Sequence, residues 1–249
     1  MASIWFLAIL IETPLNSPKR VEQHNGKPHV PTATVTNTVG DDKCNVTVAG
    51  EQTEVGTYTA TATGLSDSNY KLPAQKTVMF KIVKAQREAP TSVTATGTTY
   101  KGGTDGKLNN VDSSMEYRKD GENEWHSISG DTVEGLSTGK YYVRYKDCQN
   151  YYASPEKEVY VANGQEIKVK VPASQVGYTL SVSNTVVDYN ESSTLTFALN
   201  KGYSKTKDFA VKVNGETVQL DNNNRYKIKN IQKDTKWNNN SIQNNFIWH

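Results

Sequence analysis

"VGTYTATATGLSDSNYKL", Val55–Leu72, is the stretch whose reading decides the fold. After Gly56, the side chains of Tyr58, Ala60 and Ala62 alternate with threonines, the period-two pattern of a strand with one face inward and one face wet. A loop ending in Asn69-Tyr70 follows. The same phrase returns in "TGKYYVRYKDCQNYYASP", Thr138–Pro155, with Gly139, Tyr141, an alternating run and then Asn150-Tyr151. A sandwich needs a strand that leaves a corner and enters the core. Glycine permits the turn, while tyrosine buries its ring and can return its hydroxyl to a backbone group. Gly56, Tyr58, Gly139 and Tyr141 are therefore read as structural residues, and the phrase recurs because the module recurs.

Working outward, the alternation continues. Ala33, Val35 and Val39 share one face, as do Cys44, Val46 and Val48, with "GDDK" (40–43) as the turn between them. "TVMFKIVK" sets Val78, Phe80 and Ile82 opposite Met79, Lys81 and Val83. The polar, proline-ended "KAQREAP", Lys84–Pro90, reads as a semi-rigid linker. A second cycle runs through a hairpin at Asp120-Gly121, with Met115 and Tyr117 leading in and Trp125 and Ile128 returning. Tyr141, Val143 and Tyr145 then face one way while Lys140, Tyr142 and Arg144 face the other. A third cycle contains "VKVNGETVQL", whose Asn214-Gly215 is a type I′ hairpin signal because both central residues need positive φ.

Strands at this spacing, with no helical periodicity, predict an all-β chain of tandem small β-sandwich modules arranged end to end. The expected division is a flank over 1–21, modules over 22–86, 87–164 and 165–235, and a disordered asparagine-rich tail over 236–249. The third module lacks an obvious closing strand and is read as incomplete. Composition agrees: of 249 residues, 35% are apolar and 14 are tyrosine, and mean hydropathy is −0.67. That suits thin cores with wet outer faces better than one large interior.

Chemistry is sparse. A net charge of +2 with scattered basic residues gives no stripe for nucleic acid. Ile4–Ile11 is too short to span a bilayer, so no membrane insertion is expected within this segment. Cys44 and Cys148 read as unpaired thiols assigned to different modules. The four histidines stand apart, with no cysteine or carboxylate at ligand spacing, so no metal and no cofactor is expected. No nucleophile, P-loop or dinucleotide motif appears, and no catalytic residue is assigned. The remaining candidates are aromatic: Trp125, Tyr142, Tyr151 and Tyr152 could form a platform for the apolar faces of sugars, with Tyr142 best placed because it faces outward.

One resemblance covers most of the chain. Asn25-Gly26-Lys27, Pro31-Thr32, Gly56-x-Tyr58-x-Ala60, Asn69-Tyr70 and the closing "FKIVKA" (Phe80–Ala85) are similar to immunoglobulin-like repeats of the MBG/YDG kind from Gram-positive surface proteins. The stretches from Ala89 and from Gly177 resemble further repeat types of such proteins. The resemblance implies an extracellular, cell-wall-associated stalk, spacer or adhesion region without catalysis. Its partners would be neighbouring modules of a longer surface protein, and host or bacterial glycans or proteins. The alternative is a set of carbohydrate-binding accessory modules of a secreted, glycan-active surface protein.

Overall fold

A computed structural model describes residues 20–36, 38, 41–173 and 175–235, and the backbone of 5–6, 8–11 and 246–248. Val39, Gly40 and most of the asparagine-rich tail, on which sequence expectations fall, lie outside the described residues. Every regular element is a strand, and no helix occurs among the described residues. The protein is all-β. It divides into two compact units, one of residues 1–89 with 144–155 and one of residues 90–143 with 156–249.

The first unit holds β1 (Trp5–Phe6), β2 (Ala8–Ile11), β3 (Arg20–Gln23), β4 (Ala33–Thr36), β5 (Val46–Ala49), β6 (Gly56–Leu65), β7 (Tyr70–Lys71) and β8 (Thr77–Val83). Its main sheet runs β3-β8-β6-β5, and small ribbons pair β2 with β4 and β1 with β7. β6 and β8 are antiparallel, with Tyr58 opposite Phe80 and Ala60 opposite Val78. Alternation does what the sequence requires: Ala60, Phe80 and Ile82 are buried, with Val48, Val55, Tyr58 and Val78 packed against them. The intervening threonines and lysine face water at little cost, since only one face of the sheet is dry.

The second Asn-Tyr phrase packs within this unit. Asn150 accepts a hydrogen bond from the Val55 N–H at 3.1 Å and donates to Glu54 Oε2 at 2.5 Å. The stretch read as a linker is held by the same loop. Ala85 N–H donates to Asn150 O at 3.0 Å, and Tyr152 N–H donates to Ala85 O at 3.1 Å. Arg87 Nη2 donates to Lys146 O at 2.9 Å, and its guanidinium lies over the Tyr145 and Tyr151 rings. The stretch read as a semi-rigid linker contains the boundary between the units, at Ala89/Pro90, and its first residues have paired backbone and a stacked arginine. Cys44 and Cys148 both belong to this unit, and both are free thiols.

The second unit continues with β9 (Thr94–Thr96), β10 (Gly106–Asn109), β11 (Met115–Lys119), β12 (His126–Ser127), β13 (Thr132–Leu136), β14 (Gly139–Tyr145, whose last two residues count with the first unit) and β15 (Lys157–Val161). One sheet is ordered β13-β10-β9 and the other β12-β11-β14-β15. Leu108 of the first sheet and Met115, Tyr141, Val143 and Val161 of the second are buried, and the sheets meet where β9 and β10 approach β15. The approach is close: a Cβ on Gly106 would stand 2.4 Å from Val161 Cγ1 and 2.8 Å from Leu136 O.

Next come β16 (Ile167–Lys168), β17 (Tyr178–Val182), β18 (Val186–Val187), β19 (Glu191–Leu199), β20 (Tyr203–Lys205), β21 (Val211–Val213), β22 (Glu216–Val218), β23 (Arg225–Ile231) and β24 (Phe246–Trp248). Their core gathers Ile167, Leu180, Leu195, Phe197, Val211 and Ile228. Asn214 and Gly215 have φ of 52° and 92° and join β21 to β22 with Val213 opposite Glu216, the positive-φ pair of a tight hairpin. Near the end of this segment Thr235 N–H donates to Lys168 O at 3.1 Å. Within the tail, Phe246–Trp248 pair with β20.

Candidate functional site

Two surfaces of the second unit carry polar and aromatic side chains together, and the alternation of β11 and β14 creates both. On β11, Tyr117 and Lys119 meet Tyr141, whereas Arg118 meets Tyr142.

The outward surface holds two sequence candidates. The Arg118 guanidinium lies 5.1 Å from the Trp125 ring centroid and 4.8 Å from that of Tyr142. It also donates to Glu156 at 3.2 and 3.3 Å and to Glu122 O at 2.9 Å. Trp125 and Tyr142 are thus brought together, both half-buried, but around an arginine. A cation over a ring occupies the same π face that a sugar would use. Tyr151 and Tyr152 belong to the first unit. There Tyr151 meets His24 edge-on at 4.9 Å, and Lys84 Nζ stands over Tyr152 at 5.6 Å. The four aromatics do not all fall on one unit.

The inward surface opens into a cleft of about 270 Å³ lined by Tyr117, Lys119, Glu122, His126, Ser137 and Tyr141, among others. Residues of the β11–β12 hairpin and of the end of β13 line it. Gly135 has φ of 78° there, a left-handed backbone that only glycine adopts freely. Tyr141 is held by its own corner: its hydroxyl donates to Ser137 O at 3.0 Å. Lys119 Nζ donates to Ser137 Oγ at 2.6 Å and stands 5.8 Å from the Tyr141 ring. The Tyr117 ring lies 5.2 Å from that of His126 and 6.5 Å from that of Tyr141.

Glu122 organises the rim. Its Oε2 accepts the Lys119 backbone N–H at 3.0 Å and His126 Nε2–H at 3.2 Å. Chiefly that backbone bond, and then His126, hold its carboxyl below the usual range, so it remains an acceptor at neutral pH. Burial raises the Tyr117 hydroxyl, with Tyr141 and Glu122 adding to the shift, so it remains a neutral donor.

The arrangement offers hydrogen-bond donors and acceptors beside aromatic rings, groups suited to holding a polar ligand. His126 is bonded to Glu122, not to Ser137, so no serine–histidine pair forms. The lining holds a single carboxylate, Glu122, whereas glycoside hydrolysis ordinarily needs two, about 5–9.5 Å apart. No group of three or more potential metal ligands converges among the described residues. Of the loop histidines, His24 is buried with Nδ1–H donating to Thr53 O at 2.8 Å, and His29 is bridged to Gln52.

Sequence reading did not pick out Tyr117, Lys119, Glu122 and His126 as a group. The available signal was Lys119 in phase with Met115 and Tyr117, a charge in inward register at a strand's end. No protein-family model matches the chain, and no curated protein matches it in sequence.

Proposed function

We propose that the chain is a non-catalytic, extracellular stalk or adhesion segment of a bacterial cell-surface protein, built from immunoglobulin-like β-sandwich modules. The observation that carries this reading is a twin corner. Tyr58 Oη donates to Glu54 O at 3.0 Å, and Tyr141 Oη donates to Ser137 O at 3.0 Å. Each hydroxyl reaches four residues back, beside Gly56 and Gly139. Such corners occur in immunoglobulin-like sandwiches, and two of them in one all-strand chain support repeated modules. The resemblance to MBG/YDG repeats points the same way and supplies the location, at the cell surface or wall, beside neighbouring modules of a longer protein. No helix among the described residues is long and apolar enough to cross a membrane.

The test is a membrane-impermeant amine label applied to intact cells that express the protein, followed by peptide mass mapping. Lysines of both units are expected to react before lysis. Labelling that appears only after the cells are broken would remove the surface reading.

A further inference from the structure

We propose that the cleft between the β11–β12 hairpin and the Gly135–Ser137 corner binds one neutral pyranose ring of a glycan, by way of Tyr117, Lys119, Glu122 and His126. This goes beyond the stalk reading, which needs no ligand, and it uses different residues from the outward aromatic face.

The lining of this cleft has unused bonding capacity. Glu122 Oε2 accepts two hydrogen bonds while Oε1 has no described partner, and Lys119 Nζ is engaged by Ser137 through one of its three N–H groups. The Tyr117 hydroxyl makes no hydrogen bond to any described residue, and Tyr117 is among the residues lining the cleft. A carboxylate acceptor, an ammonium donor and a phenol that both gives and takes therefore converge on one small space, beside the Tyr117 and His126 rings.

Ligand chemistry follows by elimination. A lipid tail needs walls that are apolar throughout, and Lys119, Glu122, His126 and Ser137 interrupt these. A phosphate or a sugar acid would meet Glu122 with only Lys119 as a fixed positive charge, so the site favours a neutral guest. About 270 Å³ sits just below the usual range of ~300–1,000 Å³ for small-molecule sites, so one ring fits and an extended chain does not. A neutral pyranose supplies what remains: an apolar C–H face for an aromatic ring, and adjacent hydroxyls that can donate to Glu122 while accepting from Lys119. The outward surface is the poorer candidate, because Arg118 already covers Trp125 and Tyr142.

The experiment titrates the ¹⁵N-labelled whole chain with the methyl glycosides of glucose, galactose, mannose and N-acetylglucosamine, and with sialic acid, following amide shifts. At least one neutral glycoside is expected to move the amides of Tyr117, His126 and Gly135 with millimolar affinity. Lys119→Met and Glu122→Gln should each weaken that binding about tenfold or more, with melting curves confirming the fold, while Tyr142→Ala leaves it unchanged. No shift with any neutral glycoside would overturn the proposal. So would response to sialic acid alone, or shifts centred on Arg118 and Trp125 that Tyr142→Ala abolishes. None of these outcomes bears on surface labelling, so the two readings fail separately.

Discussion

The tyrosine corners at Tyr58 and Tyr141 share one local design in two different settings. Both hydroxyls reach the carbonyl four residues upstream at 3.0 Å. At the first, the ring folds over its own glycine, since a Cβ on Gly56 would stand 2.5 Å from the Tyr58 hydroxyl. Phe80, fully buried, lies 5.8 Å behind it. At the second, Gly139 has only the flexible end of Lys119 nearby, at 3.0 Å. The ring beside Tyr141 is that of half-buried Tyr117, 6.5 Å away. Tyr141 is itself buried and Tyr58 only half-buried, so the contrast lies in the neighbouring ring: fully buried and apolar at the first corner, half-buried and hydroxylated at the second. A repeated phrase thus sets the backbone, and the residues around it decide what lies beside the corner.

That contrast can be broken in several ways. The largest expected effect is Phe80→Ala, which should cost about 3–5 kcal/mol in denaturant unfolding. Tyr117→Ala, from a half-exposed position, should cost only about 1–2 kcal/mol. Equal losses would mean that Tyr117 is packed as firmly as Phe80. Gly56→Ala comes next, at about 1–3 kcal/mol, because the methyl group must displace the tyrosine ring. Gly139→Ala should cost about 1 kcal/mol, from the φ of 146° and not from a rigid neighbour. Thermal melts that reverse this order would contradict the geometry.

Smaller still are Tyr58→Phe and Tyr141→Phe, which each remove one hydroxyl-to-carbonyl bond and should each cost about 0.5–1.5 kcal/mol. A clear inequality would show that the corners are not equivalent in energy. The smallest effect is on pH dependence. Burial raises Tyr117 above its ordinary 10.0, so the fold favours the protonated phenol. Its stabilising contribution is complete below that pH and is lost as pH rises through the folded value. Tyr117→Phe should therefore flatten the alkaline limb of stability against pH, and an unchanged limb would place the effect elsewhere.

Much of the fold was legible because strand alternation is local. Tyr58, Ala60 and Ala62 on β6, and Phe80 and Ile82 on β8, can be read directly as an inward face, and Asn214-Gly215 announces its hairpin. The partnership of residues 144–155 was not legible. Chain order places them with the second Gly-x-Tyr strand, while the bonds of Asn150 to Val55 and Glu54 join positions 95 and 96 residues apart. Period-two patterns carry no information about pairing at that separation. The site was half legible for a related reason. Exposed aromatics are easy to nominate, but Arg118 between Trp125 and Tyr142 depends on cross-strand neighbours. So does the meeting of Glu122, His126 and Lys119 around a hairpin end.

The proposed role of this scaffold is to hold and present without transforming what it holds. It is tested most directly by incubating the chain for days with oligosaccharides ending in a neutral pyranose and weighing the sugars by mass spectrometry. The account predicts intact oligosaccharide, with no difference between the natural chain and its Ser137→Ala and Glu122→Gln variants. Cleaved or transferred sugar that disappears in either variant would contradict it.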